Sequence, residues 1–398
     1  MNITINRSVM VFFGVFIFYV YFARAILFYI TNYEPRIFQL TTEIGHLLLL
    51  LTLYSAFFFF LVISSSVLAN SILHYIKFRF WVSWKNFCWI FATVWFVASV
   101  VVIYQNGLKD VRHSAGGLSS FGPFLKVQYS LSFLSNVILL SELLKVRTKD
   151  ACRKLNLVLL ICSVLSIYSL AALVSAVFWF MLFLKPKLSL IGIKFRMHHI
   201  LYICFIASVS LFGILTIKSG GFAALLSARS VFTIDYFATL FIERTSVDVL
   251  SFSAATTHNT SSFIEDYYVG IFSDRLGEIF GLTVPDGYSL SRKNYLGLVA
   301  GEPLALAGVE PGLLGSIAYL GFYNIFTPLL LLPIVIYISS LPRITIISAI
   351  LIYWFAMPSL SVLYRGAVFV DPIFGFNLLL LSSAIRNRMH LKSIRAIV

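Results

Sequence analysis

Charged residues are scarce in this chain of 398 residues: they make up 12% of it, whereas 60% of the residues are hydrophobic. Soluble domains carry roughly 25% charged residues, most of them at the surface. Half that share leaves too little polar surface to face water on all sides, so lipid must solvate much of the protein. The composition therefore excludes an ordinary soluble enzyme and predicts an integral membrane protein.

Cysteines and the common catalytic motifs are equally scarce. The four cysteines all lie in or beside apolar runs, so the sequence predicts neither a disulfide framework nor a CxxC metal or redox site. The chain also lacks HExxH, a P-loop and a GxGxxG that opens a helix. We therefore expect that the protein uses no metal and no cofactor.

Long hydrophobic runs are abundant, and a run of about 20 residues predicts a membrane-spanning helix. Leu155–Leu184 is too long for one upright helix and has basic clusters at both ends, so we predict two short helices that turn near Tyr168–Ser169. With this pair, the sequence predicts about ten crossings. The predicted spans are Val9–Ile30, Ile44–Ala69, Phe87–Tyr104, Val127–Leu144, the pair in Leu155–Leu184, His198–Ile217, Gly312–Ser339, Ile344–Pro358 and Ala367–Ile385.

Basic and acidic residues are distributed unequally between the two sides of the predicted membrane topology. If the N-terminus lies inside the cell, 18 of the 30 lysines and arginines fall on the inner side, and 14 of the 16 acidic residues fall outside. Because basic residues are retained on the cytoplasmic side of membranes, both termini are predicted to be cytoplasmic. This asymmetry accounts for the net charge of +14 without nucleic acid as a partner.

The predicted organisation is that of an all-α polytopic membrane protein in three parts. Residues 1–217 form an N-terminal bundle of helices 1–7, and residues 312–398 form helices 8–10 with a cytoplasmic tail. Between them, residues 218–311 form a large outer loop whose short apolar stretches predict amphipathic helices on the bundle or membrane surface. A loop of this length is far longer than the usual connection and favours a functional role.

Cationic side chains on the outer side are the clearest candidates for a binding site. Arginine forks bind phosphate oxygens with two parallel hydrogen bonds and stay charged at any relevant pH. The alternative for each is an ordinary ion pair with a neighbouring carboxylate, or a solvated turn. The candidates are Arg112 in a glycine-rich hairpin, Arg229, Arg244, Arg275 and Arg292 in the large loop, and Arg365 between two short hydrophobic segments.

Three short stretches resemble those of a known family. A glycine-rich entry into a late helix, Ala307 to Phe322 with Pro311-Gly312 and Tyr319, follows the long outer loop directly. Ser120-Phe121-Gly122-Pro123 with upstream Arg112, and the late Tyr364-Arg365-Gly366, fit the same pattern. Together with the hydropathy profile, they resemble the O-antigen polymerase (Wzy) family of oligosaccharide repeat-unit polymerases.

The resemblance implies an architecture of the GT-C glycosyltransferase type in the bacterial inner membrane, with the large loop in the periplasm. It implies an enzyme that polymerises undecaprenyl-diphosphate-linked oligosaccharide repeat units of O-antigen or a related surface polysaccharide. The expected partners are these lipid-linked oligosaccharides, membrane lipid, a chain-length regulator and a flippase.

Such a reaction needs cations for the departing diphosphate and a base for the attacking hydroxyl. The six arginines named above are the candidates for the diphosphate site. The candidate bases are His113, Asp248, His258 and Glu310. The arginine-x10-glycine loop pattern of some family members is not met by Arg229, Arg244, Arg275 or Arg292, so the catalytic arginine stays open.

Two rival functions remain. An O-antigen ligase-like transferase would share the architecture and the donor but use a lipid A–core acceptor. A polysaccharide or lipid transporter would carry ligand-binding groups at mid-membrane depth and, in many cases, internal repeats. The chain shows no internal repeat, and its candidate ligand-binding groups cluster on the outer side.

Overall fold

A computed structural model describes the chain over residues 6–31, 43–75, 84–106, 122–143, 153–166, 170–184, 248–250, 252–253, 256, 312–341, 344, 346, 349 and 378–386. Helix accounts for almost all of these positions, and they contain no β-strand. Three helical stretches, Arg7–Thr31, Ile44–Ile72 and Trp84–Tyr104, are long and apolar enough to cross a membrane. These features are those of an all-α membrane protein. The count of ten crossings stays a prediction.

The first and third predicted spans agree with the helices to within three residues at each end, whereas α3 extends six residues beyond the predicted Ala69 and α5 begins five residues before the predicted Val127. The first span is divided by a short π-helical segment, Phe18–Phe22, in which the helix widens by about one residue per turn. The elements are α1 (Arg7–Ile17), the π segment, α2 (Ala23–Thr31), α3 (Ile44–Tyr75), α4 (Trp84–Asn106), α5 (Gly122–Leu143), α6 (Arg153–Leu165), α7 (Leu170–Leu184), α8 (Gly312–Leu320), a 3₁₀ turn (Gly321–Phe326) and α9 (Thr327–Ser340). The predicted span His198–Ile217 lies outside the described residues.

Contacts divide the chain into two compact units. One comprises Met1–Phe80 with Leu240–Ser383, and the other comprises Trp81–Thr239 with Ala384–Val398. Helices α1–α3, α8 and α9 thus belong to the first unit, and α4–α7 belong to the second.

Helix α3 is the long axis of the first unit and packs against α8 and α9. It has 32 residues, which corresponds to about 48 Å and exceeds a hydrocarbon core of about 30 Å. Its buried residues recur every three or four positions, as one face of a helix requires. They are Leu47, Leu51, Ser55, Phe58, Val62, Ser65 and Ala69, with Leu61 and Ser66 buried beside this row.

The predicted span Gly312–Ser339 is not one continuous α-helix. Helix α8 ends at Leu320, and the 3₁₀ turn separates it from α9. Inside this break the Asn324 side chain donates to the Ile317 carbonyl oxygen at 2.7 Å and accepts from the Thr327 hydroxyl at 3.1 Å. Pro328, in the first turn of α9, has no N–H to donate. The helix is interrupted here because the Asn324 side chain occupies the Ile317 carbonyl oxygen, and because Pro328 lacks the N–H that a continuous helix would need.

The second unit is built around α5, which packs against α4 and α7. Almost every described side chain of α5 is buried. Helix α6 packs against both α7 and α4, and its Cys162 thiol lies 3.7 Å from the Ala92 carbonyl oxygen of α4.

The prediction of two short helices within Leu155–Leu184 is confirmed. Helix α6 ends at Leu165, Ser166 forms a turn, and α7 begins at Leu170. With 13 and 15 residues, the two helices are about 20 and 22 Å long, short of the roughly 30 Å that a hydrocarbon core requires. They form a helical hairpin whose turn is buried at Ser166.

Large apolar side chains cover the outward faces of the long helices. On α4 they include Ile90, Val94, Val97 and Val100, each at least 45% exposed. Soluble monomers rarely expose contiguous apolar area of this extent. Lipid contact explains these faces, as it explains the composition.

Candidate functional site

Of the ten residues predicted for the site, Asp248 alone belongs to the described part of the chain. The other nine lie outside it: His113, His258, Glu310, Arg112, Arg229, Arg244, Arg275, Arg292 and Arg365. The described part of the candidate site therefore consists of Asp248, the residues around its segment and the residues around the entry into α8.

Asp248 lies in a short part of the predicted outer loop, called the Asp248 segment, of which residues 248–250, 252, 253 and 256 are described and helical. Its side chain is partly exposed, whereas Val249 and Leu250 beside it are buried. At the other end of the segment, the Thr256 hydroxyl donates to the carbonyl oxygens of Phe252 and Ser253, at 3.2 and 2.9 Å. The apolar residues anchor the segment in the first unit and leave the carboxylate near its surface.

An aromatic cluster holds this segment in place. The Phe252 ring packs edge-on against Tyr54 of α3, with the ring centroids 5.3 Å apart, and against Tyr21 of the π segment at 6.4 Å. Edge-to-face pairs at such distances add about 0.5–1.5 kcal/mol each to the burial of the rings. Asp248 lies four residues before Phe252 in the sequence.

Tyr21 also holds the entry into α8. Its side chain is fully buried, and its hydroxyl accepts a hydrogen bond from the Leu314 backbone N–H at 3.0 Å. The first N–H groups of a helix have no partner inside the helix, so the tyrosine satisfies one of them. One side chain thus connects the Asp248 segment with the glycine-rich entry at Gly312.

The start of α8 carries the chemical character that an anionic ligand requires. Unpaired backbone N–H groups and the helix dipole give a helix N-terminus a partial positive charge. A carboxylate on a neighbouring segment can accept a proton or orient a hydroxyl. The arrangement can therefore place an anion and a base on two segments that meet at one tyrosine.

A second polar constellation, which sequence reasoning missed, lies within the second unit. The α5 seam consists of Gln128, Ser132, Ser135 and Asn136, which are buried and recur on one face of α5. The Gln128 amide donates to the Ser99 hydroxyl of α4 at 3.0 Å and to the Ser166 hydroxyl of the hairpin turn at 3.3 Å. The detectable signal was the recurrence of polar residues at positions 128, 132, 135 and 136 of an otherwise apolar run.

Ser135 and Asn136, the C-terminal members of the α5 seam, contact α7. The Ser175 hydroxyl donates to the Asn136 side-chain oxygen, and the Trp179 indole N–H donates to the Ser135 hydroxyl at 3.1 Å. Two amide atoms of the seam, Gln128 Oε1 and Asn136 Nδ2, are buried without a hydrogen bond. Hydrogen bonds between membrane helices favour specific packing, and this is the role that the satisfied members of the seam fulfil.

A buried carboxylate lies at the end of α5. The Trp84 indole N–H at the start of α4 donates to Glu142 Oε1 at 2.8 Å, and Glu142 is 7% exposed. Because α4 and α5 run in opposite directions between these residues, the bond connects the beginning of one helix with the end of the next.

Within the described ranges, no three His, Cys, Asp or Glu side chains come together as metal ligands. That the protein works without a metal or cofactor stays a prediction, because nine of the ten candidate residues lie elsewhere. No family model matches the chain, and neither a curated protein nor a solved structure matches it.

Proposed function

We propose that this protein is a membrane glycosyltransferase that polymerises undecaprenyl-diphosphate-linked oligosaccharide repeat units of O-antigen or a related surface polysaccharide. The observation that carries the proposal is the double contact of Tyr21 with Phe252 and with Leu314. These contacts join a segment inside the predicted outer loop, which holds a candidate base, with the family-like glycine-rich entry into α8 that follows the loop.

The proposed reaction exchanges one bond at the anomeric carbon of the donor sugar. The hydroxyl oxygen of the acceptor bonds to this carbon, the bond from carbon to diphosphate oxygen breaks, and the hydroxyl proton passes to a base. The diphosphate leaves with more negative charge than it had in the donor. Groups that bind this growing charge lower the barrier.

The chain offers candidates for each role. Asp248 is a base candidate on a segment that contacts Tyr21, and Glu310 precedes α8 by two residues. His113 and His258 are the alternative bases. The loop arginines, with Arg112 and Arg365, would hold the diphosphate, and the start of α8 would add partial positive charge.

The decisive experiment uses the purified full chain in liposomes with a synthetic undecaprenyl-diphosphate-linked repeat unit. Products longer than one repeat, separated by gel and sized by mass spectrometry, are the expected result. Failure to elongate donors that carry repeats of several structures, in folded protein, would refute the proposed polymerase. A flippase and a chain-length regulator are proposed as cellular partners and are not needed in this assay.

Two other functions have tests in the same liposomes. A ligase-like transferase would move the glycan onto lipid A–core and leave repeat units unjoined. In the α5 seam, one buried amide atom of Gln128 and one of Asn136 have no hydrogen bond. This observation favours a transporter, because polar groups at membrane depth line substrate paths. Translocation of a fluorescent lipid-linked glycan without its elongation would identify the transporter.

A further inference from the structure

Arg24 is a charged residue inside the first apolar span, Arg7–Thr31. Its guanidinium donates to the Tyr19 hydroxyl at 3.3 Å and lies 5.2 Å from the centroid of the Tyr19 ring. Both contacts are with one neutral side chain, and no carboxylate of the described residues pairs with the charge. An ionisable residue within an apolar span is costly and marks a functional site by default.

The π segment creates this pairing. Residues five apart on an α-helix point about 140° away from each other, because each residue turns the helix by about 100°. In the π segment the Ala23 N–H bonds to the Phe18 carbonyl oxygen, five residues back, and this wider turn brings position 24 above position 19. Tyr21, within the same π segment, is fully buried. Single π turns occur frequently at functional sites.

The position of Arg24 along the span suits a lipid head group. It follows Arg7 by 17 residues, or about 25 Å of helix, within a hydrocarbon core of about 30 Å. The exposed apolar residues Ile26, Tyr29 and Ile30 follow it. At this depth Arg24 lies close to the interface, where an arginine fork can meet the phosphates of lipid head groups.

We propose that Arg24, held by Tyr19, is a binding site for the phosphate of a lipid head group at the end of the span distant from Arg7. One of its five N–H donors is used by Tyr19, and the planar fork matches the geometry of a phosphate. Either a membrane phospholipid or a polyprenyl phosphate can bring this group. The inference rests on the contacts of Arg24 and does not depend on glycan polymerisation.

The test is lipid retention by the purified full chain in native mass spectrometry. The probes are phosphatidylglycerol, undecaprenyl phosphate and diacylglycerol, which has acyl chains but no phosphate. Arg24→Gln should lower retention of phosphate lipid by roughly tenfold, the value of one charge-assisted hydrogen bond, with diacylglycerol unchanged. Arg7→Gln is the matched control, because it removes the same charge from an exposed position at the other end of the span.

Two further variants keep the test decisive if Arg24→Gln does not fold. Arg24→Lys retains the charge without the fork, and Tyr19→Phe retains the ring without the hydroxyl, so each should lose part of the phosphate-lipid retention. Loss of both phosphate lipids, or of one of them, supports the site, and the second case identifies the lipid. Retention equal to that of Arg7→Gln in all folded variants, or an equal loss of diacylglycerol, overturns it. A chain that retains phosphate lipid and makes no polymer overturns the proposed function alone.

Discussion

The hydroxyl of Tyr21 accepts a hydrogen bond from the backbone N–H of Leu314 at 3.0 Å, across 293 positions of sequence. Both partners are buried. The same tyrosine ring packs against Phe252. Tyr21 therefore connects the first span to two segments of the candidate site.

Replacement of this hydroxyl tests whether the junction matters. Tyr21→Phe keeps the ring and leaves the buried Leu314 N–H unpaired, which should cost about 1–3 kcal/mol of stability. If the entry into α8 positions the site, the rate of polymerisation should fall at unchanged expression. Tyr54→Phe is the matched control, because Tyr54 packs against the same Phe252 ring and its hydroxyl forms no hydrogen bond with any of the described residues. Equal melting temperatures and equal rates for the two variants would contradict the prediction.

Asp248→Asn removes the candidate base while it preserves size and polarity. General-base catalysis contributes typically about 10²–10⁴-fold, so the polymerisation rate should fall by at least about a hundredfold if Asp248 is the base. Glu43→Gln provides the control, since Glu43 is an exposed acid at the start of α3. Polymer made at the wild-type rate by the folded Asp248 variant would exclude this residue and transfer the role to Glu310, His113 or His258.

The diphosphate site is tested at Arg112, Arg244, Arg292 and Arg365. Loss of a phosphate-directed arginine should cost on the order of 3 kcal/mol, or roughly a hundredfold in rate, by analogy with other preorganised donors. Lysine at these positions should restore little of the polymerisation rate, since it keeps the positive charge and loses the two parallel N–H donors of the guanidinium. Polymer amount and length are read by gel with expression checked. Alanine at each of the four positions with unchanged polymer would refute the arginine site.

The packing of the second unit is tested at two neighbouring aromatic residues of α7. Trp179 is 1% exposed and donates to Ser135, so Trp179→Ala should destabilise by about 3–5 kcal/mol. Phe180 beside it is 49% exposed and faces outward, so Phe180→Ala should change stability little. Thermal melting in detergent measures both. A Phe180 variant that is the less stable of the two would show that the buried face of α7 is assigned wrongly.

Topology is tested with an impermeant thiol reagent on intact cells. A cysteine at Ser262 should react from outside, because the charge distribution places residues 218–311 there. A cysteine at Ser189, in the predicted inner segment, should react only after the membrane is opened. The parent chain is the background control, with Cys88 and Cys162 buried. The reverse labelling pattern would invert the predicted orientation.

The membrane class, three spans and the α6–α7 hairpin were predictable from the sequence. Each of these features depends on two local properties of the sequence that decide insertion into a bilayer: the length of an apolar run and the charges that flank it. The hairpin in Leu155–Leu184 was predictable because basic residues at both ends cannot lie on opposite sides of the membrane at low cost.

The candidate site was predictable only as a set of residue types. Arginines and acids on the predicted outer side could be named from the sequence, but no local rule connects Asp248 with Gly312 over a predicted loop of that length. The α5 seam was overlooked because its serines and amides were few among apolar neighbours. Their hydrogen bonds need partners on α4, on α7 and in the hairpin turn.

Sequence by itself determined which segments belong in lipid, since the transfer of each side chain depends on its own chemistry. Tertiary structure decided the contacts of the π segment: Tyr21 with Leu314, and Arg24 with Tyr19. A π turn is a rare conformation that residues 18–22 do not specify by themselves. The contacts of Tyr21 depend on Phe252 and Leu314, which lie far away along the chain, so only the folded structure reveals them.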